Sequence, residues 1–540
     1  MLASCSTVQT PQRDVVLRIV ALNDFHGNLK TPAPMRVADP SDPAKQVAVQ
    51  AGGAAYLSAA VGAARKGREH SLVVGAGDLI SGSPLVSSLF YDEPAIEILG
   101  EIGLDVASVG NHEFDRGREE LQRLAKGGCR KDGCVTGGEF KGAGFKYLAA
   151  NVIEESTGKS FLPAYEIRRF GGVPVAFIGL TLKGTPAIVS RSGIAGLRFA
   201  DEVETVNALV PELKRLGVEA IVVLIHEGGV ISGAHSDKSC PGFQGAIIDI
   251  VKRFDPAVDL VVSGHTHRAY VCRVEGRLVT SAGDYGRFVT EIDLVLDSAT
   301  RDVKSVEANN VIVDTSVFTP DPKIAALVDR YEKLAAPKAN RVVGYVEGEL
   351  APLANSAGES GLGDVIADAQ LQATQAAGAQ IAFMNPGGIR APLASKRPDN
   401  GITYSDIFTV QPFGNTLVTL TLSGAQVKAL LEQQFPRDPE ARVRVMQVSK
   451  GFGYTWDAAR PAGSKVVEDS MKLDGEPLRA DRRYRVTVNS FMADGGDGFG
   501  VLRSGADREG GPLDLDALEA YLRANSPQKP MPLTRIRRLN

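Results

Sequence analysis

Through the first half of the chain, short, mostly apolar runs alternate with segments whose apolar positions recur every three or four residues. Runs at 15–22, 71–75, 106–109, 221–225 and 260–263 have the composition of strands covered on both faces. Between them, 54–65, 93–100 and 202–216 carry helical spacing. In the last of these, Val203, Val206, Leu209, Val210 and Leu213 share one side. Residues 268–296 read as a hairpin. Strands separated by helices predict an α/β sandwich with sheet enclosed between helices. Residues 300–345 differ in character. Pro320, Pro322 and Pro337 punctuate them around one helical pattern at 323–334, and 335–340 reads as linker. A second set of elements begins near 342, with helices at 362–372 and 424–434 and strands at 381–384, 417–422, 443–448 and 483–488. The expected division is a tail at 1–14, a large domain at 15–320, a linker helix at 321–345 and a smaller α+β domain at 346–540.

Composition narrows the class of protein. The chain has 540 residues, 44% hydrophobic and 23% charged, which excludes a fibrous or bulk-disordered protein. A net charge of −4 gives no electrostatic reason to bind nucleic acid. A small molecule is therefore the expected partner, and a monomer or weak dimer the expected state. The opening Met1-Leu2-Ala3-Ser4-Cys5 resembles the end of a bacterial lipoprotein signal. The expectation is membrane attachment through a lipidated Cys5 and a periplasmic or cell-surface location. The other four cysteines are an even number, as in an exported protein. Cys129 and Cys134 flank a short polar turn, and Cys240 and Cys272 form the second expected bridge.

The seven histidines carry the chemistry. Five of them sit just after an expected strand, with Gly, Asp or Asn nearby: Asp24-Phe25-His26, Gly110-Asn111-His112, His226, and Gly264-His265-Thr266-His267. Gly77-Asp78 follows the 71–75 strand in the same way. Strand C-termini of an open α/β sheet converge on one edge, where sites are built. That edge would gather Asp24, His26, Asp78, Asn111, His226, His265 and His267. Carboxylate, imidazole and amide donors in this number suit two divalent ions, with the two-oxygen carboxylate of Asp78 shared between them. A mixed N/O set accepts Zn, Mn, Co or Fe. Two such ions can hold a phosphate and generate a hydroxide for in-line attack. His70 and His235 fall outside the pattern and read as solvated loop residues.

Asp-x-His, Gly-Asp, Gly-Asn-His-Glu, His and Gly-His-x-His in this order resemble the calcineurin-like metallophosphoesterase pattern over residues 24–267. The resemblance implies a four-layer α/β/β/α catalytic domain and a dinuclear centre. One site would use Asp24, His26, Asp78 and His267. The other would use Asp78, Asn111, His226 and His265. It also implies that His112 is the catalytic histidine, with Asp115 orienting its imidazole. The alternative reading of Asp115 is an N-cap for a helix at 116–126.

The second half adds Asn385-Pro386-Gly387-Gly388-Ile389-Arg390, Pro412-Phe413-Gly414-Asn415 and a loop from Phe491 to Phe499. With these, the whole chain resembles the two-domain 5'-nucleotidase family. The resemblance implies that Arg390 contacts phosphate and that Asn385, in a loop opened by Gly388, contacts base or ribose. Phe413 and Phe491 would stack the base, and Asp497 would hold the ribose. Two positions depart from the family. Pro386 replaces a glycine, and Ala357, Gly358 and Glu359 stand where an arginine usually precedes the helix. The expected activity is that of an exported metal-dependent 5'-nucleotidase, with UDP-sugar pyrophosphate cleavage in reach of the same centre. Alternatives are a 2',3'-cyclic phosphodiesterase with 3'-nucleotidase activity, the thiosulfate-oxidation hydrolase branch of the fold, and a surface nucleotide-binding protein without catalysis. The Pro-rich linker would let the domains rotate to carry substrate to the metals.

Overall fold

The structure, a computed structural model, describes residues 14–39, 42–189, 192–437 and 443–540. Cys5, and with it the lipidation expectation, lies outside the described residues. The chain divides into two compact units, the division falling after Glu332.

In the first unit, β1 (Val15–Leu22), β2 (His70–Ala76), β3 (Val106–Ser108) and β4 (Lys146–Leu148) run parallel. The next strands belong to a second sheet: β5 (Tyr165–Phe170), β6 (Val173–Thr181), β7 (Ala220–His226), β8 (Leu260–Ser263), β9 (Ala269–Val274) and β10 (Arg277–Ala282). The chain then returns to the first sheet with β11 (Phe288–Leu296) and β12 (Val303–Ile312). The two six-stranded orders are β12-β11-β1-β2-β3-β4 and β9-β10-β8-β7-β6-β5.

The period-two geometry of strands explains the layering. Leu17, Ile19 and Ala21 of β1 and Val222 and Leu224 of β7 enter the core between the sheets. Ile221, Val223 and Ile225, the alternate positions of β7, instead face α-helical residues Val206, Val210, Leu213, Ile247 and Val251. These come from α4 (Glu202–Arg215) and α5 (Ala246–Arg253), which follow α1 (Ala54–Arg65), α2 (Glu93–Ile102) and α3 (Arg118–Lys126) in the chain. On the other side α1 packs on β1 and β11. The expected α/β/β/α layering is therefore present.

Three expectations need correction. Residues 268–296 are not one hairpin. β9 and β10 pair with each other, while β11 crosses to the other sheet and runs antiparallel to β1. The helix read at 323–334 is α6 (Pro322–Ala339), which continues through Pro337. Pro337 removes the amide that would bond the Lys333 carbonyl, but it does so only two residues before the helix ends. At its other end Asp321 accepts from Lys323 N. Residues 443–448 form a strand only at Gln447–Val448, because the amides of Arg444 and Met446 donate to Gln434 instead.

In the second unit β13 (Ile381–Met384), β14 (Thr416–Ser423), β15 (Gln447–Val448), β16 (Arg483–Asn489) and β17 (Ala506–Leu513) form a sheet of order β15-β13-β16-β14-β17. A four-stranded sheet not expected from the sequence includes Phe452–Asp457 and Val466–Leu473. Leu420, Val486 and Val488 share a core with Phe452, Tyr454 and Trp456. Among the described residues, no helix is long and apolar enough to cross a membrane. Both expected disulfides, Cys129–Cys134 and Cys240–Cys272, are formed.

Candidate metal centre and nucleotide loops

Five strands of the first unit end at one cluster. Asp24 and His26 follow β1, Asp78 follows β2, Asn111 and His112 follow β3, His226 closes β7, and His265 and His267 follow β8. Donor atoms of Asp24, His26 and His267 lie within 4.8 Å of one another, as do those of Asp78, His226 and His265. Asp78 also groups with His26 and His112. Its Oδ2 is 2.9 Å from His226 Nε2 and 3.7 Å from His26 Nε2, so one carboxylate faces both halves of the cluster. Asp24 Oδ1 is 3.3 Å from His267 Nε2.

Three of the four ligand imidazoles have a partner at the other nitrogen. His26 Nδ1 donates to the Ser81 carbonyl and His226 Nδ1 to the Ala76 carbonyl, both at 2.8 Å. His267 Nδ1 lies 3.4 Å from Asp284 Oδ2. Such partners set the tautomer and turn Nε2 toward the shared centre, as in metal sites generally. The backbone is bent to match. Asp24, His26, Asp78, His265 and His267 all have φ between 45° and 71°, in the left-handed region. Strain of that kind concentrates at functional sites. Gly110 passes Asp78 so closely that a Cβ there would lie 2.1 Å from Asp78 Oδ1.

The cluster is electrostatically unbalanced. Burial opposes charge on His226, yet the adjacent Asp78 and Asp24 carboxylates push it up to about 10. His267 is pushed up to about 11 against the same burial by Asp24 and Asp284. Burial, reinforced by neighbouring imidazoles, lowers His26 and His265 to about 4. Protons on two imidazoles thus stand in for positive charge that the carboxylates demand. Asp24 Oδ1 and Asn111 Oδ1 are buried with no hydrogen-bond partner among the described residues. His226 Nε2 touches Asp78 without hydrogen-bond alignment. Unsatisfied buried donors and acceptors of this kind are costly. Here they point at common centres, and this N/O set fits divalent cations.

His112 lies at the edge of the cluster, its ring 4.9 Å from that of His26. Its Nδ1 is 2.6 Å from Asp115 Oδ2. The helix cap at this point is Gly117, so Asp115 holds the imidazole rather than capping a helix. Three supporting residues escaped the sequence reading. Glu113, fully buried, accepts from the amides of Asp78, Leu79 and Gly110, tying two ligand loops together. Asn23 donates to Asp24 Oδ2 at 2.7 Å. Asp284 supports His267 and has a legible signal. Gly283-Asp284 follows β10 as Gly77-Asp78 follows β2. His70 is not in a loop; it opens β2 and packs edge-on against Phe170.

In the second unit, Asn385 Nδ2 donates to Asp497 Oδ2 at 2.7 Å, and Asn489 donates to Asn385 Oδ1 at 2.9 Å. Arg390 is exposed, its guanidinium 5.7 Å from the Phe413 ring centre. Phe491 is half-buried with its ring over Gly496. A Cβ at Gly388 would lie 2.5 Å from Met384 Cε and 3.0 Å from Asn385 Oδ1, so a side chain there would have to displace Met384. The six residues thus form an Asn385–Asp497 pair, an Arg390–Phe413 pair, a ring seated on glycine and a glycine packed beneath.

Residues 17–269 match the calcineurin-like phosphoesterase family model, and residues 342–504 match the 5'-nucleotidase C-terminal domain. The chain belongs to the 5'-nucleotidase family of calcineurin-like phosphoesterases. The endonuclease YhcR of Bacillus subtilis is 35% identical over 95% of this chain and 40% of its own length. The cell wall protein Lmo0130 of Listeria monocytogenes is 30% identical over 92% of this chain and 66% of its own. The chain therefore spans less than two thirds of either relative. The crystal structure of a 5'-nucleotidase precursor from Thermus thermophilus aligns with a TM-score of 0.73 at 28% identity, covering 97% of this chain and 99% of that one.

Proposed function

We propose that this 5'-nucleotidase-family chain hydrolyses phosphate esters of nucleotides at two divalent ions. Asp24, His26, Asp78 and His267 would hold one ion, and Asp78, Asn111, His226 and His265 the other. The observation that carries this reading is Asp78, whose carboxylate belongs to ligand groups on both sides and lies beside the His112–Asp115 pair. When bound, the ions would supply Lewis-acid charge and a nucleophile at neutral pH. The chain's own residues do the rest. Asp115 holds Nδ1 of His112 and leaves Nε2 to donate to the phosphoryl group and the departing oxygen. Asn385, Phe413, Phe491 and Asp497 hold the nucleoside, and Arg390 meets its phosphate. Two disulfides and the likeness to a cell wall protein support an exported, surface-associated enzyme.

The test is a hydrolysis panel of AMP, ATP, UDP-glucose and 2',3'-cyclic AMP with Zn, Mn and Co in turn. The expected result is metal-dependent release of phosphate from AMP. His112→Ala should lose at least a hundredfold in kcat while retaining its metal content. Undiminished turnover by His112→Ala would overturn the mechanism. Cleavage of only the cyclic substrate would reassign the activity.

A further inference from the structure

Asn489 closes β16 and is buried. β16 runs parallel to β13, so both strands end at the same edge and Asn489 falls beside Met384 and Asn385. Both ends of its amide are used. Oδ1 accepts from Met492 N at 2.9 Å and so caps the short helix Ser490–Ala493, which carries Phe491. Nδ2 donates to Asn385 Oδ1 at 2.9 Å and lies 3.6 Å from Met384 Sδ.

These bonds fix a direction. A backbone amide can only donate, so the atom facing Met492 N must be the Asn489 oxygen, and the group facing Asn385 must be its NH2. Asn385 therefore turns its own oxygen to Asn489 and its NH2 to Asp497, whose Oδ2 accepts at 2.7 Å. A flipped Asn489 would set donor against donor at Met492 and acceptor against acceptor at Asn385, in a buried place where an unmade hydrogen bond is costly. The orientation of Asp497 is thus set through two amides from the Met492 N–H. Its own backbone supplies little restraint. Asp497 stands between Gly496 and Gly498 with φ at 56°, in the left-handed region. Its other oxygen, Oδ1, is 3.8 Å from Arg444 Nε.

Resting on the reading of these loops as the nucleoside site, we propose that Asn489 is a positioning residue for ribose recognition. It touches no substrate. Through Asn385 it holds the Asp497 carboxylate where the ribose hydroxyls meet it, and through the cap it holds the helix that carries Phe491. Chemistry separates the two effects. A serine caps a helix but lacks the second polar atom that reaches Asn385. Serine in place of Asn489 therefore loosens the grip on the ribose and leaves the stacking ring in position.

Asn489→Ala would remove cap and relay together, so the decisive variant is Asn489→Ser. Binding of adenosine and of 2',3'-dideoxyadenosine is measured by calorimetry, and KM and kcat for AMP by phosphate release. Wild type should favour adenosine about tenfold, the worth of one hydrogen bond to a charged group. Asn489→Ser should lose most of that preference while binding dideoxyadenosine as wild type does. Its KM for AMP should rise about tenfold with kcat little changed. In an Asp497→Ala background the serine change should cost nothing further. A wild-type preference in Asn489→Ser, an equal loss for both nucleosides, or an additive loss in the double variant would overturn the assignment. So would a wild-type protein that does not distinguish the two nucleosides. Loss of the preference in a protein that hydrolyses no ester would uphold the relay and remove the proposed activity instead.

Discussion

Gly110→Ala is the most informative single-methyl change in the molecule. Gly110 lies outside the left-handed region, so alanine carries no conformational penalty there and the test isolates close approach. Its Cβ would sit 2.1 Å from Asp78 Oδ1, 2.6 Å from Asp78 N and 2.8 Å from Asp78 Cγ. Ordinary contact begins near 3.4 Å, so the carboxylate must retreat by about 1 Å. It has little freedom to do so: Asp78 is 1% exposed, its Oδ1 accepts from His112 N at 2.9 Å, and its own amide donates to Glu113. Overpacking of this kind costs about 1–3 kcal/mol of stability. A displacement of about 1 Å at a reacting centre costs about a hundredfold in rate. The assay is kcat/KM on AMP with saturating Mn, together with metal content by mass spectrometry and the thermal midpoint. Gly62→Ala is the control. It sits in α1 with nothing within 4 Å of its Cβ and should gain about 1 kcal/mol. A folded Gly110→Ala enzyme within twofold of wild type in both rate and metal content would refute the argument that Asp78 must occupy its observed position.

Asp115→Asn keeps an acceptor for His112 Nδ1 but removes the charge; kcat should fall about 10–100-fold with metal content and KM unchanged, and a change confined to KM would contradict the positioning role. Asp364 is held up to about 8 by burial, with Glu359 and Asp368 beside it and Arg535 opposing. A carboxyl raised on folding lends stability that is full below about pH 4 and is lost as pH rises through 8. The thermal midpoint should therefore decline across that window, and Asp364→Asn should flatten the decline; an equal slope in both proteins would dismiss Asp364 as its source. The Cys240–Cys272 bridge spans 32 residues, and replacing both with Ser should cost about 3 kcal/mol in urea unfolding; no loss of stability would show that the rest of the fold suffices to hold the segment between them.

Much of this was readable because strands buried on both faces announce themselves. The runs that became β1, β2, β3, β7 and β8 are mostly apolar, Arg18 being the one charge within them, and the polar residues clustered directly after them mark strand ends. The strand pairing was less legible. β11 looks like the continuation of a hairpin, and only its antiparallel register with β1, residues distant in sequence, reveals the crossing between sheets. Phe452, Tyr454 and Trp456 alternate with more exposed residues, a period-two signal that a search for apolar runs passes over. Gln434, whose backbone carbonyl takes the Arg444 amide and whose side chain takes that of Met446, stops β15 short and has no sequence signature.

The left-handed backbone at the ligands was also invisible, and it explains why the motif reads as it does. A strand continued past its end would leave Asp24 and His26 on one face but carry them about 6–7 Å apart along it, too far for one ion. Reversing φ at Asp24 and His26, and again at His265 and His267, returns the donors to one point. Among residues other than glycine, Asp and His are among the types most often found in that region. The same residue types are metal ligands, so the backbone demand and the chemical demand agree at each position. Where the turn had to pass closest to Asp78, no side chain could be accommodated, and the chain has Gly110. The strand-end signature of glycine followed by Asp, Asn or His is therefore a joint solution to local sterics and to ligand chemistry. Gly283-Asp284 after β10 obeys it too, although Asp284 reaches His267 rather than the shared centre.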